Sequence, residues 1–188
     1  MYVNMIPAKY DSLKIENIVA SGAVADSINL AEVAARVSSC ELNTKRFPGA
    51  VLRMDEPKIA SLIFSSGKVV LTGIRNEEAL KTGLDRIIRE LKKAGVETYE
   101  TPRIAVTNIV CSYDIGRNIN LNKLVITLNL ENIEYEPEQF PGLVYRLGDP
   151  KIVALLFSSG KIILTGGKNL EDIRRGLDLL EQKLANVL

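Results

Sequence analysis

FPGAVLRMDEPKIASLIFSSGKVVLTG, residues 47–73, returns at residues 140–166 as FPGLVYRLGDPKIVALLFSSGKIILTG. Seventeen of the 27 positions are identical without a gap, and most of the others exchange one apolar residue for another, which marks an internal duplication. Each copy opens on a Phe, carries a second Phe 17 residues on, and runs directly into SSGK. Inside the block, β-prone runs at 50–54, 58–64 and 68–72 are separated by Asp55-Glu56-Pro57 and Ser65-Ser66-Gly67. Those breaks are tight turns, so the runs pair as an antiparallel meander. Side chains alternate along a strand, which groups Ile59, Ser61 and Ile63 on one face and Ala60, Leu62 and Phe64 on the other. Both faces are apolar.

Outward from the block, residues 13–21, LKIENIVAS, read as a strand whose mate is 104–112. Residues 26–37 hold a short helix, with Asn29 as N-cap and Glu32 three residues later. Its counterpart is 120–130, after a DIGRN loop longer by two residues. Residues 76–94 place Leu80, Leu84, Ile87, Ile88 and Leu91 on one helical face, with Lys and Arg away from it, and stop at Gly95. Ile173, Leu177, Leu180 and Leu184 repeat that helix from Asn169. Each half is strand, helix, four strands, helix. The expected organisation is an N-terminal tail (1–12) and two α+β repeats (13–101 and 102–188), each a five-stranded antiparallel sheet with two helices.

One long and one short helix cover one face of such a sheet. Strand parity assigns Asn17, Val19, Leu62, Phe64, Val70 and Thr72 to the other face, with Asn108, Val110, Leu155, Phe157, Ile163 and Thr165 as their mates. Periodicity alone leaves two readings level: a sheet-on-sheet core between the halves, or a binding surface. The charges favour binding. Arg53, Lys58 and Lys68 recur as Arg146, Lys151 and Lys161, and a flat apolar centre rimmed by cations suits nucleic-acid bases between phosphates. Ser66 and Ser159, in the turns beside those lysines, add hydroxyls for phosphate.

Composition narrows the alternatives. The formal net charge is +1, so a nucleic-acid surface has to come from the placement of charges rather than their number. There is no His, and the two Cys, Cys40 and Cys111, are neither repeat mates nor spaced as metal ligands, so no metal or cofactor is expected and the thiols read as buried or half-buried. Without His, a Ser or Cys nucleophile lacks its commonest base, and SSGK does not have the order of a nucleotide-binding loop, so catalysis is not expected. No run approaches the ~18 apolar residues of a membrane span. A soluble intracellular protein is the expectation.

Paired FPG…R…PK…FSSGK…TG blocks, each preceded by an Asn-Ile-Val strand (Asn17–Val19 and Asn108–Val110), resemble the TATA-box-binding protein family over nearly the whole chain. The resemblance implies a pseudo-twofold saddle with helices on its convex side and the minor groove of promoter DNA against its concave sheet. It implies Phe47 and Phe64 wedging into one end of the box, with Phe140 and Phe157 at the other. Such wedges unstack base steps, a behaviour for which this family is itself a standard example. Asn17 and Asn108 would bond base acceptors near the centre. Val19, Leu62, Val70, Thr72, Val110, Leu155, Ile163 and Thr165 would line the groove floor. Arg46, Arg53, Lys58, Ser66, Lys68, Arg146, Lys151, Ser159 and Lys161 would meet phosphates.

The loops ahead of the two leading Phe differ: 40–46 is CELNTKR and 134–139 is EYEPEQ. In the family the second receives a TFIIB-type factor, called TFB in archaea, so Glu134, Glu136, Glu138 and Gln139 are the expected contacts, with RNA polymerase recruited in turn. The short stretch ahead of the first repeat looks archaeal, which implies a place in the cytoplasm at the nucleoid; a eukaryotic relative would be nuclear. Without DNA, an apolar face this large is expected to be hidden by self-association. The competing expectation is a diverged relative that binds proteins through the same sheet and has lost TATA specificity.

Overall fold

The structure, a computed structural model, describes residues 10–128 and 132–185, so most of the expected tail and the end of the helix expected at 120–130 lie outside the described residues. The described residues divide into two compact units: Asn17–Thr107, and the described parts of Asn108–Leu188 and of Met1–Glu16. The first is built on β1 (Lys14–Ala23), α1 (Leu30–Arg36), β2 (Cys40–Leu42), β3 (Ala50–Asp55), β4 (Lys58–Ile63), β5 (Lys68–Ile74) and α2 (Glu77–Lys93). Its strands are antiparallel in the order β2-β3-β4-β5-β1. The second repeats this with β6 (Ile104–Asp114), α3 (Leu121–Leu128), β7 (Ile133–Glu134), β8 (Leu143–Arg146), β9 (Val153–Leu156), β10 (Lys161–Gly167) and α4 (Leu170–Ala185). Its order is β6-β10-β9-β8-β7, again antiparallel.

Among the described residues, all four helices open on an Asn. The side-chain oxygens of Asn29, Asn76, Asn120 and Asn169 accept from the backbone N–H three residues on, at 3.3, 2.7, 3.0 and 2.8 Å. Each such cap is worth about 1 kcal/mol against Ala. Gly95, at φ +88°, stops α2.

Helices cover one sheet face only. Ile59, Ser61 and Ile63 of β4 are buried, whereas Ala60 and Leu62 between them are half-buried. α2 lies close on that strand because Gly83 has no side chain: a Cβ there would stand 2.5 Å from Ile59 Cδ1. Gly176 of α4 takes the same position over Ile152, at 3.0 Å. Neither glycine stood out in the sequence, where both sit inside otherwise ordinary helical patterns.

Several boundaries differ from the sequence reading. The strands expected at 13–21 and 104–112 run on to Ala23 and Asp114. Cys40 opens β2 instead of belonging to a loop. The helix expected over 26–37 shrinks to Leu30–Arg36: Asp26 lies in a bend, Ser27 and Ile28 belong to no regular element, and Ile28 N–H donates to Ser65 O at 2.9 Å.

Both thiols are buried. Burial pushes Cys111 up from 9.0 to about 11, with Glu16 adding to the rise and Arg174 opposing it. The folded thiol keeps its proton where the unfolded one loses it, so this stabilisation is complete below pH 9 and is lost as pH climbs toward 11. Denaturant unfolding of the wild type is expected to lose about 2 kcal/mol more between pH 8 and 11 than that of Cys111→Ala, whose repeat mate is already Ala20. Equal losses would show that the thiol contributes nothing to the pH dependence.

Candidate nucleic-acid interface

Among the described residues, no helix lies on the second face of either sheet. In the first unit Val51, Leu62, Val70 and Ser21 are laddered across β3, β4, β5 and β1, beside the row Arg53, Ala60 and Thr72. The second unit repeats this as Val144, Leu155, Ile163 and Ser112, beside Arg146, Val153 and Thr165. Apart from the exposed Arg53 and Arg146, these residues are half-buried, as are Asn17, Val19, Asn108 and Val110. Every groove-floor residue expected from sequence therefore lies on the open face of its own unit. Val51, Ala60, Val144 and Val153 belong there too. Parity through β3 and β8 would have found the two valines, since Val51 and Val144 are identical within the repeated block.

At the end of each face two rings meet edge to face. Phe47 and Phe64 have centroids 5.6 Å apart with planes at 64°, and Phe140 and Phe157 repeat this at 5.9 Å and 69°. Phe140 is 39% exposed. The Gly of each FPG leaves room for the pair. A Cβ on Gly49 would stand 2.7 Å from Phe47 Cε1, and one on Gly142 would stand 2.7 Å from Phe140 Cε1 and 3.0 Å from Phe157 Cε1.

Asn17 and Asn108 are held identically. Gly73 N–H donates to Asn17 Oδ1 at 2.7 Å and Gly166 N–H to Asn108 Oδ1 at 2.8 Å. Their Nδ2 groups donate to Thr72 Oγ1 at 3.0 Å and Thr165 Oγ1 at 3.2 Å.

Arg46, Arg53, Lys58, Lys68, Arg146, Lys151 and Lys161 are exposed, as are Ser66 and Ser159. Arg146 is engaged, its Nε standing 3.2 Å from Glu134 Oε1, and both side chains are more than half exposed, so the pair is weak and easily exchanged for another anion. The SSGK turns also have a structural duty. Phe64 N–H donates to Lys68 O, and Val24 N–H donates to Gly67 O, both at 2.9 Å, which ties the turn to the β1–α1 loop.

The two differing loops share one backbone form. Arg46 N–H and Phe47 N–H donate to Asn43 O, both at 3.0 Å; Gln139 N–H and Phe140 N–H donate to Glu136 O at 2.9 and 3.0 Å. The charge reverses, Lys45-Arg46 standing where Glu138-Gln139 stand in the repeat, and Thr44 gives way to Pro137. Glu136, Pro137, Glu138 and Gln139 line an open concavity of about 300 Å³.

Two matching α+β repeats, each with one face under helices and an open apolar face ringed by cations, define a duplicated open-sheet protein. The family described as transcription factor TFIID, or TATA-binding protein, matches residues 12–94 and 103–187. TATA-box-binding protein 1 of Methanosarcina acetivorans is 48% identical over 176 residues, 94% of this chain and 96% of that protein. The TATA-box-binding protein of Archaeoglobus fulgidus is 47% identical, over 92% of this chain and 94% of its own length. Among solved structures, Methanococcus jannaschii TBP superposes with a TM-score of 0.86 at 44% identity, over 94% of this chain and 99% of that one. The chain belongs to the TATA-box-binding protein family and has its α+β fold.

Proposed function

We propose that this chain is a general transcription initiation factor that binds the minor groove of A·T-rich promoter boxes with the open faces of its two repeats. The observation that carries this reading is the duplicated Phe pair at the end of a helix-free apolar face. Phe47 with Phe64, and Phe140 with Phe157, act as wedges that kink the duplex. The valines, leucines and Ile163 pack on the groove floor, where guanine's amino group would be left unsatisfied. Arg46, Arg53, Lys58, Lys68, Arg146, Lys151 and Lys161 neutralise phosphates, with Ser66 and Ser159 as hydroxyl donors.

The test is binding to a TATA-containing duplex and to a G·C-rich one across a salt series. Seven phosphate contacts predict a log-log slope of about −6, at roughly −0.9 each, and a strong preference for the TATA duplex. Equal, weak binding to both would mean that the open faces are protein interfaces, the reading left if TATA specificity has been lost.

A box read by two similar repeats needs an external cue for direction. The acidic loop supplies it by docking a TFIIB-type factor (TFB), which brings RNA polymerase, while the basic loop at Lys45-Arg46 repels the same partner. Glu136→Lys with Glu138→Lys is expected to leave DNA affinity within about threefold and to lower TFB recruitment by at least about tenfold, the effect of inverting close interfacial charges. An unchanged ternary complex in a gel-shift titration would remove this role.

A further inference from the structure

Gly95, at φ +88°, turns the chain out of α2, and residues 96–103 then run alongside β1 and the loop that follows it. Tyr99 grips that loop twice. Its backbone N–H donates to Val24 O at 2.7 Å, and its hydroxyl donates to Asp26 Oδ1 at 2.6 Å. Between those two partners is Ala25, whose carbonyl oxygen is set against the SSGK turn: a Cβ on Gly67 would stand 1.8 Å from it and 3.3 Å from the carbonyl carbon of Asp26. Val24 N–H and Ile28 N–H close the contact on Gly67 O and Ser65 O, both at 2.9 Å. Through Val24, Ala25 and Asp26, Tyr99 braces the turn that carries Ser66 and Lys68.

The hydroxyl bond lies outside the core, since Tyr99 is 39% exposed and Asp26 is exposed. It is short and charge-assisted, and it is the chief reason that the Tyr99 hydroxyl stands above its ordinary pKa. Asp26 is an anion beside a turn that meets phosphates, and an untied carboxylate there would repel the group that Lys68 attracts. Among the described residues the second repeat has no such brace. Gly160 faces Arg117 O, at 2.1 Å from a Cβ, and three residues ahead of the helix caps Asn29 and Asn120 the anion Asp26 is answered by the cation Arg117.

We propose that Tyr99 is a positioning residue for DNA: by bracketing Ala25 it sets the Ser66–Lys68 turn of the first repeat against its phosphate and ties the Asp26 carboxylate in place. The inference rests on the minor-groove reading and deepens it. The phosphate contact of one repeat depends on the segment between the repeats, and that of the other does not.

Tyr99→Phe keeps the ring and the backbone bond and deletes the hydroxyl. Binding to a TATA-containing duplex is measured for this variant alone and combined with Lys68→Ala or with Lys161→Ala, with circular dichroism and urea unfolding as checks on folding. Tyr99→Phe is expected to lower affinity about threefold to fivefold, the scale of one exposed charged contact, both in the wild type and with Lys161→Ala. Once Lys68 is gone the loss is expected to shrink below about 1.5-fold, because the effect passes through that contact; a loss of stability alone would show equally in every background. Asp26→Asn keeps an acceptor for the hydroxyl and removes the charge, so it is expected to bind at least as tightly as the wild type. Asp26→Ala removes the charge and the tie together and is expected to bind about twofold to threefold more weakly. Equal losses beside Lys68→Ala and Lys161→Ala, no loss in Tyr99→Phe, or Asp26→Ala binding as tightly as Asp26→Asn overturns the proposal. A wild type indifferent to TATA against G·C-rich duplexes overturns the groove reading itself, which is a different and separately visible result.

Discussion

Phe64→Ala combined with Phe157→Ala is expected to lower affinity for an A·T-rich box by about 10²- to 10⁴-fold, from two lost ring transfers at roughly 1.5 to 3 kcal/mol each. The loss is specific in kind. Neither change touches the cations, so the salt-dependent binding shared by all sequences survives and the preference for the box collapses toward it. Each change also strips its partner of an edge-to-face contact, at 5.6 Å for Phe47 and 5.9 Å for Phe140, so the remaining ring loses its fixed orientation along with its neighbour. The fold withstands the change, because Phe64 and Phe157 are only half-buried and the buried core of Ile59, Ile63, Leu71 and their mates lies under the helices. Anisotropy titrations give the affinity, and energy transfer between dyes at the duplex ends gives the bend. An undiminished preference for the box with unchanged end-to-end transfer would remove the rings from the mechanism.

Features with a strict period were legible in the sequence, and features that break a period were not. Alternation in β4 separated Ile59, Ser61 and Ile63 from Ala60 and Leu62, and the structure buries the first set and leaves the second half-open. Asn29, with Glu32 three residues on, announced the first cap, and the structure shows Asn76, Asn120 and Asn169 capping the other helices in the same way. The β-bulges, where pairing slips between Ile18/Ala20 and between Leu164/Gly167, were hidden because a residue added to one strand shifts its parity, and parity was the rule being applied; Thr72-Gly73 and Thr165-Gly166 looked like strand ends. The extension of β1 through Gly22 was hidden for a related reason. Gly is a poor strand former, and its presence there reflects a close approach of the chain, since a Cβ on Gly22 would stand 2.1 Å from Arg103 O. The pairing of Arg146 with Glu134 was equally invisible, because it depends on β7 pairing with β8 at Glu134 and Val144.

Gly67→Ala is expected to destabilise the protein by about 3 kcal/mol or more, the scale of a left-handed backbone penalty joined to a core disruption. Gly67 has φ +81°, and a Cβ there would stand 1.8 Å from Ala25 O, far inside contact, against backbone that cannot swing aside as a side chain would. Relief requires the β1–α1 loop to retreat. That breaks the bonds from Val24 N–H to Gly67 O and from Ile28 N–H to Ser65 O, both 2.9 Å, and uncovers Val24, Ala25 and Ile28, each at most 3% exposed. The second repeat is built the same way, with a Cβ on Gly160 at 2.1 Å from Arg117 O and Ile119 N–H donating to Ser158 O at 2.9 Å. Ser66→Ala is the contrast: its exposed hydroxyl is outside the clamp, so stability should stay within about 0.5 kcal/mol while DNA affinity falls modestly. Urea unfolding of both variants separates the duties inside SSGK. If Gly67→Ala loses less than about 1 kcal/mol, the clamp is not what fixes the glycine in both repeats, and contact with DNA becomes the better reason for the whole motif.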